Sequence, residues 1–145
     1  MKNDQMASLM KKKGYARSEQ PFLRGSSTKL PMRKLWIALK QDHNIRYDPD
    51  TKNIVLCFQS KQGWYDRRQT DLLNYSRDGA YTFPVWMMKE ADLKDRIWSY
   101  IGLYKLGRRW KERHTVVRRN ELHETDMCRV AVYVGDDLPD VNDDE

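Results

Sequence analysis

The chain has few cysteines, no long hydrophobic run and no glycine-rich nucleotide-binding motif. No stretch approaches the roughly 18 apolar residues of a membrane-spanning helix, and the N-terminal stretch MKNDQMASLMKKKGY lacks the apolar centre of a secretory signal. We therefore expect an intracellular protein, located in the cytoplasm, the nucleus or a virion. The seven glycines are scattered and match neither the dinucleotide-binding nor the P-loop pattern, which excludes those phosphate-binding loops.

The two cysteines, Cys57 and Cys128, lie in the apolar runs IVLCF and MCRVAVYV. A thiol in such surroundings packs as a small hydrophobic group, so we expect neither a disulfide framework nor a nucleophilic cysteine. His114, His123 and Cys128 follow one another at spacings of nine and five, which match no common zinc pattern, and Cys57 would have to come from another strand. The sequence therefore predicts no metal site, no cofactor and no catalytic residue.

Positive charge is abundant and unevenly distributed. The formal net charge is +6, but the last eleven residues, GDDLPDVNDDE, contain six acids and no base, so residues 1–134 carry +12. Ten Lys and Arg residues lie in residues 1–40 against two acids, and seven lie in residues 104–119 against Glu112 alone. Such a distribution predicts a polyanionic partner, and solvated surface charge is the alternative.

Three parts of the chain are distinguished by composition. Residues 1–29 contain KKKGYAR and LRGSSTK with little periodicity, which predicts a flexible basic arm. Residues 30–134 have the size of one ordinary domain, and residues 135–145 predict a disordered acidic tail. The tail would fold back on the basic surface, recruit a basic partner protein or simply solubilise the chain. It resembles the tails of single-stranded-DNA-binding proteins only in acidity.

The hydrophobic pattern predicts an α+β fold, with two main amphipathic helices packed on a mostly antiparallel sheet. A helix over residues 31–41 is indicated by apolar residues at helical spacing, namely Met32, Leu35, Trp36 and Leu39. A second helix over residues 89–113 is indicated in the same way by Leu93, Ile97, Tyr100, Ile101 and Tyr104. Its acids come first and its bases last, as the helix dipole favours, although Gly102 and Gly107 are unfavourable in a helix interior.

Extended segments are predicted at residues 45–48, 54–58, 81–88, 115–117 and 127–134, with a short helix at 66–76. The first two segments flank the sequence DPDTKN, whose proline, aspartates and asparagine favour a turn. They therefore predict a β-hairpin. Pro84 within the third segment indicates an edge strand or a bulge.

Arginines and aromatic residues are interleaved in YKLGRRWKERHTVVRRN. A guanidinium group binds phosphate oxygens in a bidentate fork, and an aromatic ring stacks on an unpaired base. The alternative is that Tyr104 and Trp110 belong to the core and that the arginines are a solvated helix end. The predicted nucleic-acid-binding residues are Lys11, Lys12, Lys13, Lys61, Trp64, Arg67, Arg68, Arg108, Arg109, Trp110, Lys111, Arg113, Arg118 and Arg119.

Asp50, which follows Pro49, is succeeded by Gln59 and then Lys61. This pattern resembles the motif of the PD-(D/E)xK nuclease superfamily, which includes phage junction-resolving endonucleases. The resemblance implies that Asp50 and Gln59 hold a divalent metal ion and that Lys61 stabilises charge on the phosphate, with Glu19 as the upstream acid. In the competing hairpin interpretation, Asp50 points to water at the tip of a turn.

These observations favour a small, basic, non-catalytic protein that binds RNA or single-stranded DNA. One alternative is a viral or phage structural or adaptor protein, such as a matrix protein that binds anionic membrane or genome. The other is the metal-dependent nuclease described above. Besides nucleic acid, the expected partners are anionic membrane, a protein bound through the acidic tail, and further copies of the chain.

Overall fold

The fold is a mixed β-sheet with one short N-terminal helix. The computed structural model describes residues 1–17, 34–41, 44–59, 82–118 and 120–141. The elements are α1 (Asn3–Lys12), β1 (Ala16–Arg17), β2 (Leu35–Lys40), β3 (Ile45–Tyr47), β4 (Ile54–Phe58), β5 (Phe83–Met88), a 3-10 turn (Glu90–Asp92), β6 (Ser99–Arg118) and β7 (Glu121–Gly135). None of the helices in these ranges is long and apolar enough to cross a membrane.

The sheet has the strand order β1-β2-β5-β6-β7-β4-β3. β1 contributes only two residues and β2 runs parallel to both of its neighbours, β1 and β5, whereas the remaining neighbours are antiparallel. Six strands therefore carry the sheet. The predicted α+β fold with two main helices is wrong, because both predicted helical segments supply central strands instead.

The first predicted helix, over residues 31–41, is replaced by β2 within the part that the structure describes. Trp36 packs into one hydrophobic cluster and Ile37 into another, so both faces of this strand are covered. A strand buried on both faces shows no alternation of apolar and polar residues. Its apolar residues then match a helical spacing by coincidence.

The second predicted helix, over residues 89–113, is wrong for a different reason. The segment contains the 3-10 turn and then enters β6, whose pairing is shifted by bulges at three places along β7. Each bulge adds a residue to one strand and breaks the period of two. Gly102 has a φ of +129°, which is not a helical value. It also lies against the ring of Tyr133 on the neighbouring strand β7, as a glycine in a strand can.

Helix α1 packs on one face of the sheet. Met6 and Met10 are fully buried in a cluster with Trp36, Trp86 and Trp98. The helix ends at Lys12 with Lys13 as its C-cap, and the next residue, Gly14, takes a φ of 94° that suits glycine. Residues 3–12 are therefore ordered, and the prediction of a flexible arm is wrong for them, while residues 18–29 lie outside the described ranges.

The opposite face of the sheet carries the larger cluster. Its fully buried members include Ile54, Val85, Met87 and Tyr104, which come from three different strands. All six residues of β5 are buried, as expected for a strand with neighbours on both sides and a cluster on each face. The core is thus divided between two faces of one sheet.

The β3–β4 hairpin confirms the sequence prediction. Tyr47 pairs with Ile54, and the Asp48 carboxylate accepts hydrogen bonds from the Asp50 amide and the Thr51 hydroxyl, each at 2.9 Å. These two bonds hold the pKa of Asp48 below its ordinary value. Lys52 takes a positive φ of 65° to close the turn.

Pro84 does not lie in an edge strand. Its strand, β5, runs between β2 and β6. The edge-strand interpretation of Pro84 is therefore wrong. The pairing of β5 with β6 is shifted between Val85 and Trp86, where one step along β5 matches two steps along β6. The extra residue therefore lies in β6, and Pro84 itself is regularly paired and not in a bulge. The pairing with β2 begins only at Val85, so no bond to β2 is lost at Pro84.

The start of the acidic tail is packed against the body of the protein. Leu138 and Val141 contact the cluster that contains α1, and the Tyr15 hydroxyl donates a 2.8 Å hydrogen bond to the carbonyl of Pro139. Tyr100 donates similarly to the carbonyl of Asp137 at 2.6 Å. The predicted disorder is therefore not found as far as residue 141, and residues 142–145 lie outside the described ranges.

Candidate nucleic-acid interface

The longest feature of the sheet is the β6–β7 hairpin. β5 pairs with β6 only as far as Tyr104, and β4 pairs with β7 only between Met127 and Ala131. Over the described residues, the outer parts of β6 and β7, residues 112–118 and 121–126, pair only with each other. We call these two segments the ribbon. At 3.4 Å per residue, its seven β6 residues reach about 20 Å.

Most of the predicted binding residues between 108 and 113 lie at the base of this hairpin, on β6 and not on a helix. Lys105, which the sequence interpretation did not include, is exposed in the same strand. Five cations of this strand have described side chains, and we call them the basic strip: Lys105, Arg108, Arg109, Lys111 and Arg113. All five are exposed, so the predicted arginines are available to a ligand.

Carboxylates do not neutralise most of the basic strip. Across the described part of the chain, none of Lys105, Arg109, Lys111 and Arg113 makes an ion pair. The pairing is uninterrupted from Arg109 to Lys111, so these two side chains project from the same face of the strand. Together they provide two neighbouring cations about 7 Å apart along the strand.

Arg109 lies directly opposite Arg129 of β7. Arg129 is only 5% exposed, and its Nε donates a 2.8 Å hydrogen bond to the carbonyl of Gly107. Arg109, in contrast, is exposed on the same ladder. Arg129 was missed from sequence, although a lone arginine within the apolar run MCRVAVYV is the signal that could have identified it.

Trp110 faces away from Arg109 and is half-buried. The guanidinium carbon of Arg108 lies 4.5 Å from the centroid of the Trp110 ring, and the indole N–H donates a 2.8 Å hydrogen bond to Glu112. One face of the indole is thus covered by Arg108. The pair presents a stacked guanidinium group to a ligand, so a base could stack on that face of Trp110 only after Arg108 moves.

Acidic residues confine the basic strip to the base of the hairpin. Along the ribbon, β7 exposes Glu121, Glu124 and Asp126. Glu124 accepts a 2.6 Å hydrogen bond from Thr115, and Glu121 lies 3.7 Å from the His123 ring. In contrast, the partners of Arg109 and Lys111 carry no negative charge. Among the side chains that the structure describes, the charge distribution therefore favours an anion at the base of the hairpin over the outer part of the ribbon.

The predicted lysines of the N-terminal segment lie on a separate element. Lys11 and Lys12 are exposed in the last turn of α1, and Lys13 follows it. The Lys13 ammonium group donates to the carbonyl of Leu138 at 3.2 Å and to the Asp140 carboxylate at 3.3 Å. The acidic tail thus occupies one of the predicted nucleic-acid contacts, as its proposed fold-back on the basic surface requires.

Several predicted residues lie where the structure gives no side-chain description. The backbone of Arg118 belongs to β6. The others lie outside the described residues, namely Lys61, Trp64, Arg67, Arg68 and Arg119.

The structure does not bring together the two residues that the nuclease resemblance names as metal ligands. Asp50 is exposed in the β3–β4 turn, whereas Gln59 follows the other end of β4 and donates to the carbonyl of Glu124 at 2.9 Å. The five residues of β4 separate them, a length of at least about 13 Å, and Lys61 lies outside the described ranges. One metal ion cannot contact both side chains at that distance.

A different group of potential metal ligands lies where β4, β6 and β7 meet. Cys57 pairs directly with Cys128, their Sγ atoms are 3.8 Å apart, and both residues are fully buried. His114 of β6 completes the group, since one ligand atom from each of the three residues lies within 4.8 Å of the others. The sequence spacing that argued against zinc did not reveal this contact, which arises from strand register.

Burial raises the pKa of the Cys128 thiol to about 12, and the neighbouring Cys57 adds to the shift. The Cys128 thiol is therefore protonated at neutral pH. Beside it, the Trp110 indole N–H and then the His114 ring hold the pKa of Glu112 below its ordinary value.

No family model, curated protein or solved structure matches the chain.

Proposed function

We propose that this protein binds the phosphate backbone of single-stranded nucleic acid, RNA or DNA, through the basic strip at the base of the β6–β7 hairpin. The observation that carries this proposal is that Arg109 and Lys111 are exposed on the same face of β6, and that neither makes an ion pair within the described part of the chain. Neighbouring cationic groups of this kind provide a site for anionic phosphate oxygens.

Recognition through this surface would be largely independent of sequence. Charged groups that contact phosphates position a nucleic acid without reading its bases. Arg108 covers one face of the half-buried Trp110 ring, which limits base stacking. Affinity would then come mainly from counterion release, and it would fall steeply with salt. We propose binding alone for this surface, without a catalytic step.

The test is fluorescence anisotropy with a labelled single-stranded RNA, a single-stranded DNA of the same sequence, and the corresponding duplex. Each is titrated with the full chain at several salt concentrations. Replacing both Arg109 and Lys111 by alanine should weaken binding to the single strands and reduce the slope of log K against log salt by about 1.4, since each single-strand phosphate contact contributes about 0.7.

A charge-matched control keeps the test specific. Lys40 and Lys94 are both exposed and lie outside the basic strip, so Lys40→Ala with Lys94→Ala removes the same net charge elsewhere. This control should retain nearly all of the wild-type salt slope. Equal losses in the two double variants would show that only total charge matters, and they would overturn the assignment of the strip.

Two further arms of the same titration test the alternative functions. Binding to phosphatidylserine vesicles that exceeds binding to RNA, and that requires Arg109, would favour the matrix-like adaptor. Cleavage of the labelled strands in magnesium that is abolished by Asp50→Ala would favour the nuclease. Either result would replace the proposed function.

A further inference from the structure

We propose that Cys57, Cys128 and His114 form a binding site for a thiophilic divalent metal ion, of which zinc is the best fit. The three residues come from three strands, so the site exists only when the base of the hairpin is folded. A metal ion bound there would join β4, β6 and β7. This inference is independent of the proposed nucleic-acid function.

The separation of the two sulfur atoms fits a metal ion better than a disulfide. Two thiolates bound to zinc at about 2.3 Å with a tetrahedral angle lie about 3.8 Å apart, and the observed Sγ–Sγ distance is 3.8 Å. A disulfide would require the sulfur atoms to approach to about 2.05 Å. The two cysteines thus already have the spacing of metal ligands, while oxidation would require both strands to shift.

The chemical character of the ligands selects the metal. Soft thiolates combined with an imidazole favour zinc over magnesium or calcium, which prefer oxygen ligands. Three protein ligands leave the fourth tetrahedral position to water or another small ligand. On binding, Cys57 and Cys128 each lose a proton to solvent, and the two thiolates balance the 2+ charge of the ion.

The surroundings of His114 orient its ring for this role. Glu112 Oε2 lies 2.6 Å from His114 Nε2, and the indole N–H of Trp110 holds Glu112 in turn at 2.8 Å. A metal-bound histidine commonly donates its second ring N–H to such a carboxylate. With Nε2 assigned to Glu112, Nδ1 is the nitrogen that would bind the metal.

In this structure Arg46 Nη2 lies 2.8 Å from His114 Nδ1, so Arg46 would compete with a metal ion for that nitrogen. Arg46 is exposed on β3, so its side chain is free to swing into solvent when a metal ion binds. The S–N separation in a tetrahedral zinc site is about 3.6 Å. One ring nitrogen of His114 already lies within 4.8 Å of both sulfur atoms, so a small adjustment of the ring and of the cysteine side chains would complete the site.

The experiment uses the full chain, purified with a reductant and a chelator and then titrated with Co2+, a spectroscopic substitute for zinc. We expect one equivalent to bind, with thiolate-to-cobalt charge-transfer absorption in the near-ultraviolet that added Zn2+ removes. Cys57→Ser and Cys128→Ser should each lose much of this band. His114→Gln should weaken cobalt binding more than Glu112→Gln, which removes only the carboxylate that holds the His114 ring and is expected to weaken binding by about 10- to 100-fold.

His123→Gln is the matched control, because the same ring on the neighbouring strand is not in the group, and it should bind as the wild type does. Arg46→Ala should bind cobalt more tightly, since it removes both a competitor for Nδ1 and a nearby positive charge. His114 is 15% exposed in its side chain, so its variants keep the test valid even if the buried cysteine variants fail to fold. Absence of the charge-transfer band, an unchanged band in His114→Gln, or recovery of an intramolecular disulfide that binds no metal would overturn the assignment.

Discussion

Replacing Gly102 by alanine should stabilise the protein if this residue lies in a helix and destabilise it if the residue lies in a strand as the structure describes. Sequence periodicity places this residue inside a helix over 89–113, where glycine is less favourable than alanine by about 1 kcal/mol. In that case the variant would be more stable than the wild type. The structure places Gly102 in β6 with a φ of +129°, a conformation that side chains rarely adopt.

The size of the expected effect follows from the backbone and from the neighbouring atoms. Forcing a residue other than glycine into such a region costs about 1–3 kcal/mol. A Cβ atom at position 102 would also lie 2.5 Å from Cε1 of Tyr133 and 2.8 Å from the carbonyl oxygen of Gly135, and crowding of this kind costs about 1–3 kcal/mol. We therefore expect Gly102→Ala to lower the free energy of unfolding by about 2–6 kcal/mol.

Urea denaturation followed by tryptophan fluorescence measures this difference. Gly135→Ala is the matched control, because a Cβ atom there has no neighbour within 4 Å, and its effect should stay within about 0.5 kcal/mol. A Gly102→Ala variant as stable as the control, or more stable than the wild type, would refute the strand assignment around residue 102.

Three further predictions test the helix, the buried tyrosines and the tail. Met10→Ala should cost about 2–5 kcal/mol of unfolding free energy, because Met10 is fully buried; a negligible cost would restore the flexible arm. Burial raises the pKa of Tyr15 from 10.0 to about 12, so its contribution to stability is complete below pH 10 and is lost as the pH rises toward 12; urea midpoints measured against pH should fall less steeply in Tyr15→Phe. If the tail competes with RNA for cations, exchanging Asp136, Asp137 and Asp140 for asparagine should raise the affinity for RNA. Neutralising the last three acids of the chain, residues 143–145, should raise it less. Equal affinities in the two variants would exclude competition by the packed segment.

Local turn chemistry was sufficient to predict the β3–β4 hairpin. Every residue needed to close it lies within the sequence DPDTKN, and the Asp48 side chain satisfies the backbone of its own turn. Such hydrogen bonds depend on neighbours in sequence and not on the rest of the fold. That independence explains why this element could be predicted while β2 and β6 could not.

Helix α1 had a sequence signal that was outweighed by its lysines. Met6, Leu9 and Met10 have helical spacing, and Asp4 precedes Lys11 in the order that the helix dipole favours. The run KKKGYAR nevertheless suggested an unstructured arm. The decisive stabilisation comes from tertiary packing, since an isolated helix of ten residues is marginal in water and the cluster that buries both methionines is built from distant strands.

The arginines of the candidate interface could be predicted from the sequence, but the residues that lie opposite and beside them could not. Composition alone identified Arg108, Arg109 and Lys111 as exposed cations. The opposition of Arg109 to Arg129 depends on the register of two strands across the hairpin, and register follows from packing and turn geometry together. The contact of Cys57 with Cys128 likewise joins residues 71 positions apart in sequence.

Strand β6 is irregular at two places next to the side chains that we propose to bind nucleic acid and metal. Between Leu106 and Arg109, and again between Lys111 and His114, three steps along β6 match two steps along β7, so each interval contains one extra residue. Such bulges redirect the side chains that follow them. The first bulge precedes the pairing of Arg109 with Arg129, and the second precedes His114, which lies beside the two cysteines. The broken period that made β6 resemble a helix in the sequence is thus the same feature that places its cations and its histidine.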